Sequence, residues 1–201
     1  MNRMTKIGRR GRDGAFTLIE LLVVISIIGI LAALVLGVFP AIQRKKVLAR
    51  VHTEVQNLAS AIEKYKSDKN FYPPDNTNNF AQPPLAYELV GTTLNNATYT
   101  TLNGQNTISA ANVSTFFKRD GFANSGAKAE DYHKNLKEGS VGVIPGSPDV
   151  RVLKVPYKGP NGDFNPFYYN STNPEHNTES FDLWAVIVLN GQTYTIGNWK
   201  D

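Results

Sequence analysis

One carboxylate stands alone in an apolar run. Residues 16–39 carry a single charged side chain, Glu20, four positions after Phe16, which is one turn of a helix. In a low dielectric a carboxylate attracts an ammonium strongly and is penalised when left unpaired. The chemistry to expect here is therefore ion pairing. Other reactive residue types form no constellation. His52, His133 and His176 lack metal-ligand spacing, and His52 reads as a surface position on a helix. No Ser, His and carboxylate set makes a nucleophile motif, and no Gly-rich loop follows a strand. Asp120, Glu130, Asp131 and Glu138 read as solvated surface. Phe164, Phe167, Tyr168, Tyr169, Phe181 and Trp184 could stack on a sugar, but at strand spacing beside a long helix core packing outweighs that reading. No enzyme activity is expected.

The element that must position Glu20 is a long helix. At about 1.5 Å per residue, residues 16–39 reach about 36 Å, enough to cross a hydrocarbon core of about 30 Å. A plain signal anchor with a stray Glu remains an alternative; a cleaved secretory signal has a shorter apolar core. Arg3, Lys6, Arg9, Arg10 and Arg12 against Asp13 account for the whole net charge of +4. The basic excess is thus an orientation signal that holds the first residues in the cytoplasm, and no nucleic-acid partner is expected. Arg44, Lys45, Lys46 and Arg50 at the far end of the span blunt that asymmetry. With no cysteine, the remaining chain must hold together by packing alone.

Past Pro40 the pattern turns amphipathic. Ile42, Val47, Leu48, Val51, Val55, Leu58, Ile62 and Tyr65 recur at spacings dominated by three and four, with charged residues on much of the other surface. The spacing predicts one helix over 16–67, softened near Gly37 and Pro40 and ended by Asn70, Pro73 and Pro74. Residues 73–150, rich in Asn, Thr, Gly and Ala, are expected to be loops with one or two short helices, one of them over 127–136. Segments 151–157, 167–170, 181–189 and 192–196 read as one antiparallel sheet, with Asn190-Gly191 as a hairpin turn. The division expected is 1–15, a basic leader; 16–40, a membrane helix; 41–72, an amphipathic helix; 73–150, a variable region; and 151–201, the sheet. The fold class is α+β, a long helix laid on a small sheet, with Trp199 capping the core.

The run Phe16-Thr17-Leu18-Ile19-Glu20 after Gly14-Ala15 resembles the cleavage and methylation signal of the type IV pilin-like superfamily. The resemblance implies that a prepilin peptidase cuts between Ala15 and Phe16 and methylates the new Phe16 amine. It implies that Glu20 pairs with the terminal amine of a neighbouring subunit during filament assembly. Gly usually precedes the cut; Ala15 stands there, and cutting at Ala15–Phe16 keeps the usual distance to Glu20. The end of the helix, with Lys64-Tyr65-Lys66-Ser67-Asp68-Lys69-Asn70-Phe71-Tyr72-Pro73, is similar to the major pseudopilin of type II secretion. So are Asn165-Pro166-Phe167-Tyr168-Tyr169, Phe181-Asp182-Leu183-Trp184 and Ile196-Gly197-Asn198-Trp199. In that family a calcium loop separates the last two elements. Here the tight Asn190-Gly191 hairpin does, without an acidic residue between Asp182 and Asp201, although calcium wants six to eight oxygens. No cofactor is expected, with calcium near 170–179 the remaining alternative.

The resemblance implies a single-pass protein of the bacterial inner membrane with its outer domain in the periplasm. It would be a pseudopilin filament subunit for type II secretion. Its partners would be the peptidase, copies of itself, other pseudopilins, the inner-membrane secretion platform, and lipid before assembly. The alternatives are a type IV pilin of a surface fibre and a membrane-anchored binding protein.

Overall fold

The computed structural model describes residues 16–134, 136, 138–147 and 149–199. The leader 1–15, including Ala15, lies outside the described residues. Helix α1 spans Leu18–Lys69, and the chain divides after Arg44 into two compact units.

In the first unit α1 is the only element among the described residues. Leu18, Ile19, Leu22, Ile25, Ile28, Leu31 and Leu34 are all more than half exposed. An all-round apolar helix with no packing partner among the described residues of its unit is suited to a bilayer or to packing among like helices. It is also the one described helix long and apolar enough to cross a membrane. Gly37 and Pro40 lie within α1, which continues through both.

The second unit is built on the amphipathic half of α1. Val51, Val55, Leu58, Ile62 and Tyr65 are buried at the predicted three- and four-residue spacing, while Ile42, in the first unit, stays exposed. The helix ends where Asn70 takes a left-handed conformation, φ 65°; its N–H bonds back to the Lys66 carbonyl at 2.9 Å. Asn tolerates this conformation better than most side chains. Short elements follow: α2 (Leu85–Glu88), β1 (Thr92–Asn95), β2 (Thr98–Thr101), β3 (Thr107–Ser109) and α3 (Ala110–Phe117). Then come β4 (Val141–Val143), β5 (Arg151–Leu153), β6 (Tyr168–Asn170), β7 (Asp182–Leu189) and β8 (Gln192–Gly197). The architecture is α+β, a long N-terminal helix followed by three small antiparallel sheets, β1-β2-β3, β4-β5 and β6-β7-β8.

Three expectations from the sequence are corrected. The 73–150 region holds a three-stranded sheet: Asn96 and Ala97, both at positive φ, turn one Thr-rich strand back on the next. Residues 127–134 form turns and loop instead of a helix, with Tyr132 N–H tied to the Leu89 carbonyl at 2.8 Å. Strand β5 pairs with β4 and is outside the C-terminal sheet. That sheet is set by β7, which pairs Tyr168 with Trp184 on one side and Trp184 with Gly197 on the other. Asn190 and Gly191, φ 51° and 78°, supply the two positive φ angles of the favoured two-residue hairpin turn. Leu183, Ala185 and Ile187 alternate inward to join Tyr169, Phe181 and the buried face of α1 in one core.

Candidate assembly site at the start of the first helix

Thr17 and Glu20 close the start of α1 on themselves. The Thr17 N–H donates to Glu20 Oε2 at 2.8 Å, and the Thr17 hydroxyl donates to the same oxygen at 2.7 Å. The Glu20 N–H returns a bond to Thr17 Oγ1 at 3.3 Å. This reciprocal box satisfies N–H groups that the first turn of any helix leaves without partners. Glu20 Oε1 accepts no hydrogen bond among the described residues. Phe16, Ile19, Glu20, Val23 and Val24 line one shallow depression of about 330 Å³, and Phe16 is 80% exposed. Phe16 and Glu20 therefore line one depression, with one carboxylate oxygen fixing the helix start and the other without a partner among the described residues. Chemically this arrangement can receive a cation.

A family model described as the prokaryotic N-terminal methylation motif matches residues 10–36. The match is confined to the N-terminal segment, which is similar to the processing signal of type IV pilin-like proteins. The chain is 39% identical over 62 residues to type II secretion system core protein G of Pectobacterium carotovorum subsp. carotovorum, covering 31% of this chain and 40% of that protein. It is also 39% identical over 61 residues to fimbrial protein EcpC of Eikenella corrodens, covering 30% and 40%. The chain thus spans about two fifths of the length of the curated relatives it matches. No solved structure matches it.

The remaining residues singled out in the sequence lie apart from this site. His52 and His176 are exposed and His133 is half-buried. Burial pulls the His133 imidazole down from its ordinary value, against the opposing fields of Asp131 and Glu54. Phe167, Tyr169 and Phe181 are core residues. Tyr168 and Trp184 face the other side of the sheet, and Trp199 joins Trp184 there at 6.1 Å between ring centroids. Trp199 therefore covers an outer aromatic cluster, which corrects its placement as a cap on the core.

Sequence reasoning missed three buried carboxylates of the second unit. Glu88 is fully buried; its Oε1 accepts from Ala123 N–H at 2.8 Å, and its Oε2 accepts from Asn124 N–H at 2.9 Å and the Tyr65 hydroxyl at 3.1 Å. Asp75 accepts from Ser171 N–H and from the N–H and hydroxyl of Thr172, all at 2.8 Å. Asp182 gathers the N–H groups of Glu175, His176 and Asn177 at 2.6–2.9 Å. The visible signal for Glu88 was one charge inside the apolar cluster Leu85-Ala86-Tyr87-Glu88-Leu89-Val90. Among the described residues no three His, Asp or Glu side chains gather as a metal site would require.

Proposed function

We propose that this chain is a pseudopilin, a structural subunit that polymerises into a periplasmic filament for type II protein secretion. The observation that carries the reading is the divided Glu20 carboxylate. Oε2 holds the helix start through Thr17, and Oε1, on the face shared with Phe16, has no partner among the described residues. Cutting between Ala15 and Phe16 would create an amine on Phe16, and N-methylation would leave it positively charged. The Oε1 oxygen then suits the amine of an adjacent copy. In a bilayer an unpaired carboxylate is unfavourable, so the pairing would draw subunits together and out of the lipid. The flexibility required at that step is assigned to Gly37 and Pro40, where the proline nitrogen cannot supply a helix hydrogen bond. The role is structural, not catalytic.

In this reading α1 anchors the precursor in the bacterial inner membrane, N-terminus cytoplasmic and residues 45–201 periplasmic. The partners are a prepilin peptidase, further copies of the chain, other pseudopilins and the inner-membrane platform. In this reading the loop over 170–179 would be held without calcium, since Asp75 Oδ2 and both Asp182 oxygens accept backbone N–H groups and Asp75 Oδ1 accepts the Thr172 hydroxyl. A surface fibre is the second reading, favoured by the equal identity to a fimbrial protein.

Deleting the gene and following exported proteins tests the assignment. Retention of exoproteins in the cell, restored by the wild-type chain, is expected. Normal secretion together with loss of long surface fibres would replace it with the fibre reading. Glu20→Val should still insert and be cut before Phe16 by N-terminal sequencing, yet yield few filaments. Wild-type filament yield from that variant would remove Glu20 from assembly.

A further inference from the structure

The outer face of the C-terminal sheet carries a cleft of about 270 Å³ lined by both tryptophans of the chain. Trp184, central on β7, stacks on its cross-strand neighbour Tyr168 at 5.2 Å and 13°. Phe80 and Trp199 stand beside it, inclined at 61° and 59°. Trp199 reaches this position because Gly197, the other cross-strand neighbour of Trp184, has no side chain. A Cβ there would lie 2.5 Å from the Trp199 ring atoms. The loop before β7 completes the cleft. By drawing in the N–H groups of residues 175–177, Asp182 brings Glu175 and His176 to its rim. The His176 ring packs on Trp199 at 3.9 Å.

We propose that this cleft binds a cationic group, an alkylammonium or a guanidinium, presented by another molecule. Two features select that chemistry. The rings are inclined walls around one volume, not a flat shelf, and aromatic faces attract cations through their quadrupole. The described lining also includes two carboxylates, Glu175 and Asp182, and neither lysine nor arginine. Asp182 is engaged with three N–H donors, whereas the Glu175 carboxylate is exposed and has no described partner. Glu175 therefore supplies the free charge and Trp184 with Phe80 and Trp199 the walls. A neutral sugar would want one open ring face with donors and acceptors around its edge, which is the competing chemistry. The inference is independent of the filament reading, since neither Phe16 nor Glu20 takes part.

Because Trp184 and Trp199 are the only tryptophans, tryptophan emission excited beyond tyrosine absorption reads this cleft alone. The full chain in polyoxyethylene micelles, which offer neither ammonium nor sugar, is titrated with five probes. Tetramethylammonium and choline chlorides represent a headgroup, acetyl-arginine amide and acetyl-lysine amide a protein side chain, and methyl glucoside a sugar; sodium chloride corrects for salt. A saturable change in emission with at least one cation, half-complete at about 1–10 mM, is expected of a few aromatic contacts to a solvated ion. Which pair binds identifies the source. Glu175→Gln, an exposed and conservative change, should weaken binding about two- to fivefold. Phe80→Ala, checked for folding by circular dichroism, should weaken it about fivefold. No cation effect beyond sodium chloride, saturation by methyl glucoside alone, or cation binding untouched by both substitutions would each overturn the proposal.

Discussion

Glu88→Ala should be among the most damaging single changes in the second unit. The side chain is fully buried and three donors point at it, from Ala123, Asn124 and the Tyr65 hydroxyl. Truncation leaves all three without an acceptor. Each orphaned donor costs about 1–3 kcal/mol, and removal of the buried charge offsets part of the sum. A net loss of about 3–5 kcal/mol is expected, comparable to breaking a buried ionic contact. Tyr65→Phe removes one donor and leaves the other two bonds in place, so about 1 kcal/mol is expected there. Glu88→Gln should approach the alanine variant in cost, since its amide would direct N–H groups at one or two of the same donors. Urea unfolding of the full chain in nonionic micelles, followed by tryptophan emission, measures all three. The reasoning fails if Glu88→Ala lies within about 1 kcal/mol of the wild type, or if Tyr65→Phe costs as much as Glu88→Ala.

The same residue sets a pH dependence. Burial raises the Glu88 acid above the ordinary 4.5, outweighing the donors from Ala123, Asn124 and Tyr65. A raised folded value means the folded state holds the proton longer. The stability this group contributes is then complete below about pH 4.5 and is lost as pH rises through the folded value. Glu88→Gln should flatten that decline, and an unchanged slope would contradict it. His133 acts in the opposite sense: burial lowers its imidazole from 6.5, so its contribution is present above 6.5 and lost as pH falls through the lowered value. His133→Gln should shallow the acid limb below pH 6.5 in a pH series of melting temperatures; an identical limb would remove His133 from the account. Gly191→Val, at φ 78°, should cost about 1–3 kcal/mol through left-handed strain, read by the same urea assay, and a neutral result would deny the turn its strictness. Chelator should leave the melting temperature unchanged if Asp75 and Asp182 hold the 170–179 loop through N–H groups. A fall of several degrees, reversed by calcium, would refute that account.

The sequence alone determined the parts of this protein governed by local or periodic physics. A lone acid four residues after Phe16 defines a helix face without any knowledge of the rest. An apolar run of membrane length marks a helix that needs an apolar surrounding, and Asn190-Gly191 names its own turn because few residues tolerate positive φ. Val51, Val55, Leu58, Ile62 and Tyr65 were legible as the buried stripe for the same reason. The three- and four-residue period survives whatever covers it.

What only the tertiary structure decided depends on pairings between distant segments. The Thr-rich strands over 92–109 are too short and polar to show a period, and they exist because each supplies hydrogen bonds to the next. Strand β5 looks like a partner for the C-terminal strands, yet its register is with β4, a choice no local signal encodes. The duty of Glu88 appears only when residues 65, 88, 123 and 124 meet. Likewise Trp184 and Trp199, fifteen positions apart, become walls of one cleft because the β7–β8 pairing brings Gly197 beside Trp184. Side-chain type can be read along a chain, but the donor, wall or charge that it meets is fixed by which distant backbones come to lie side by side.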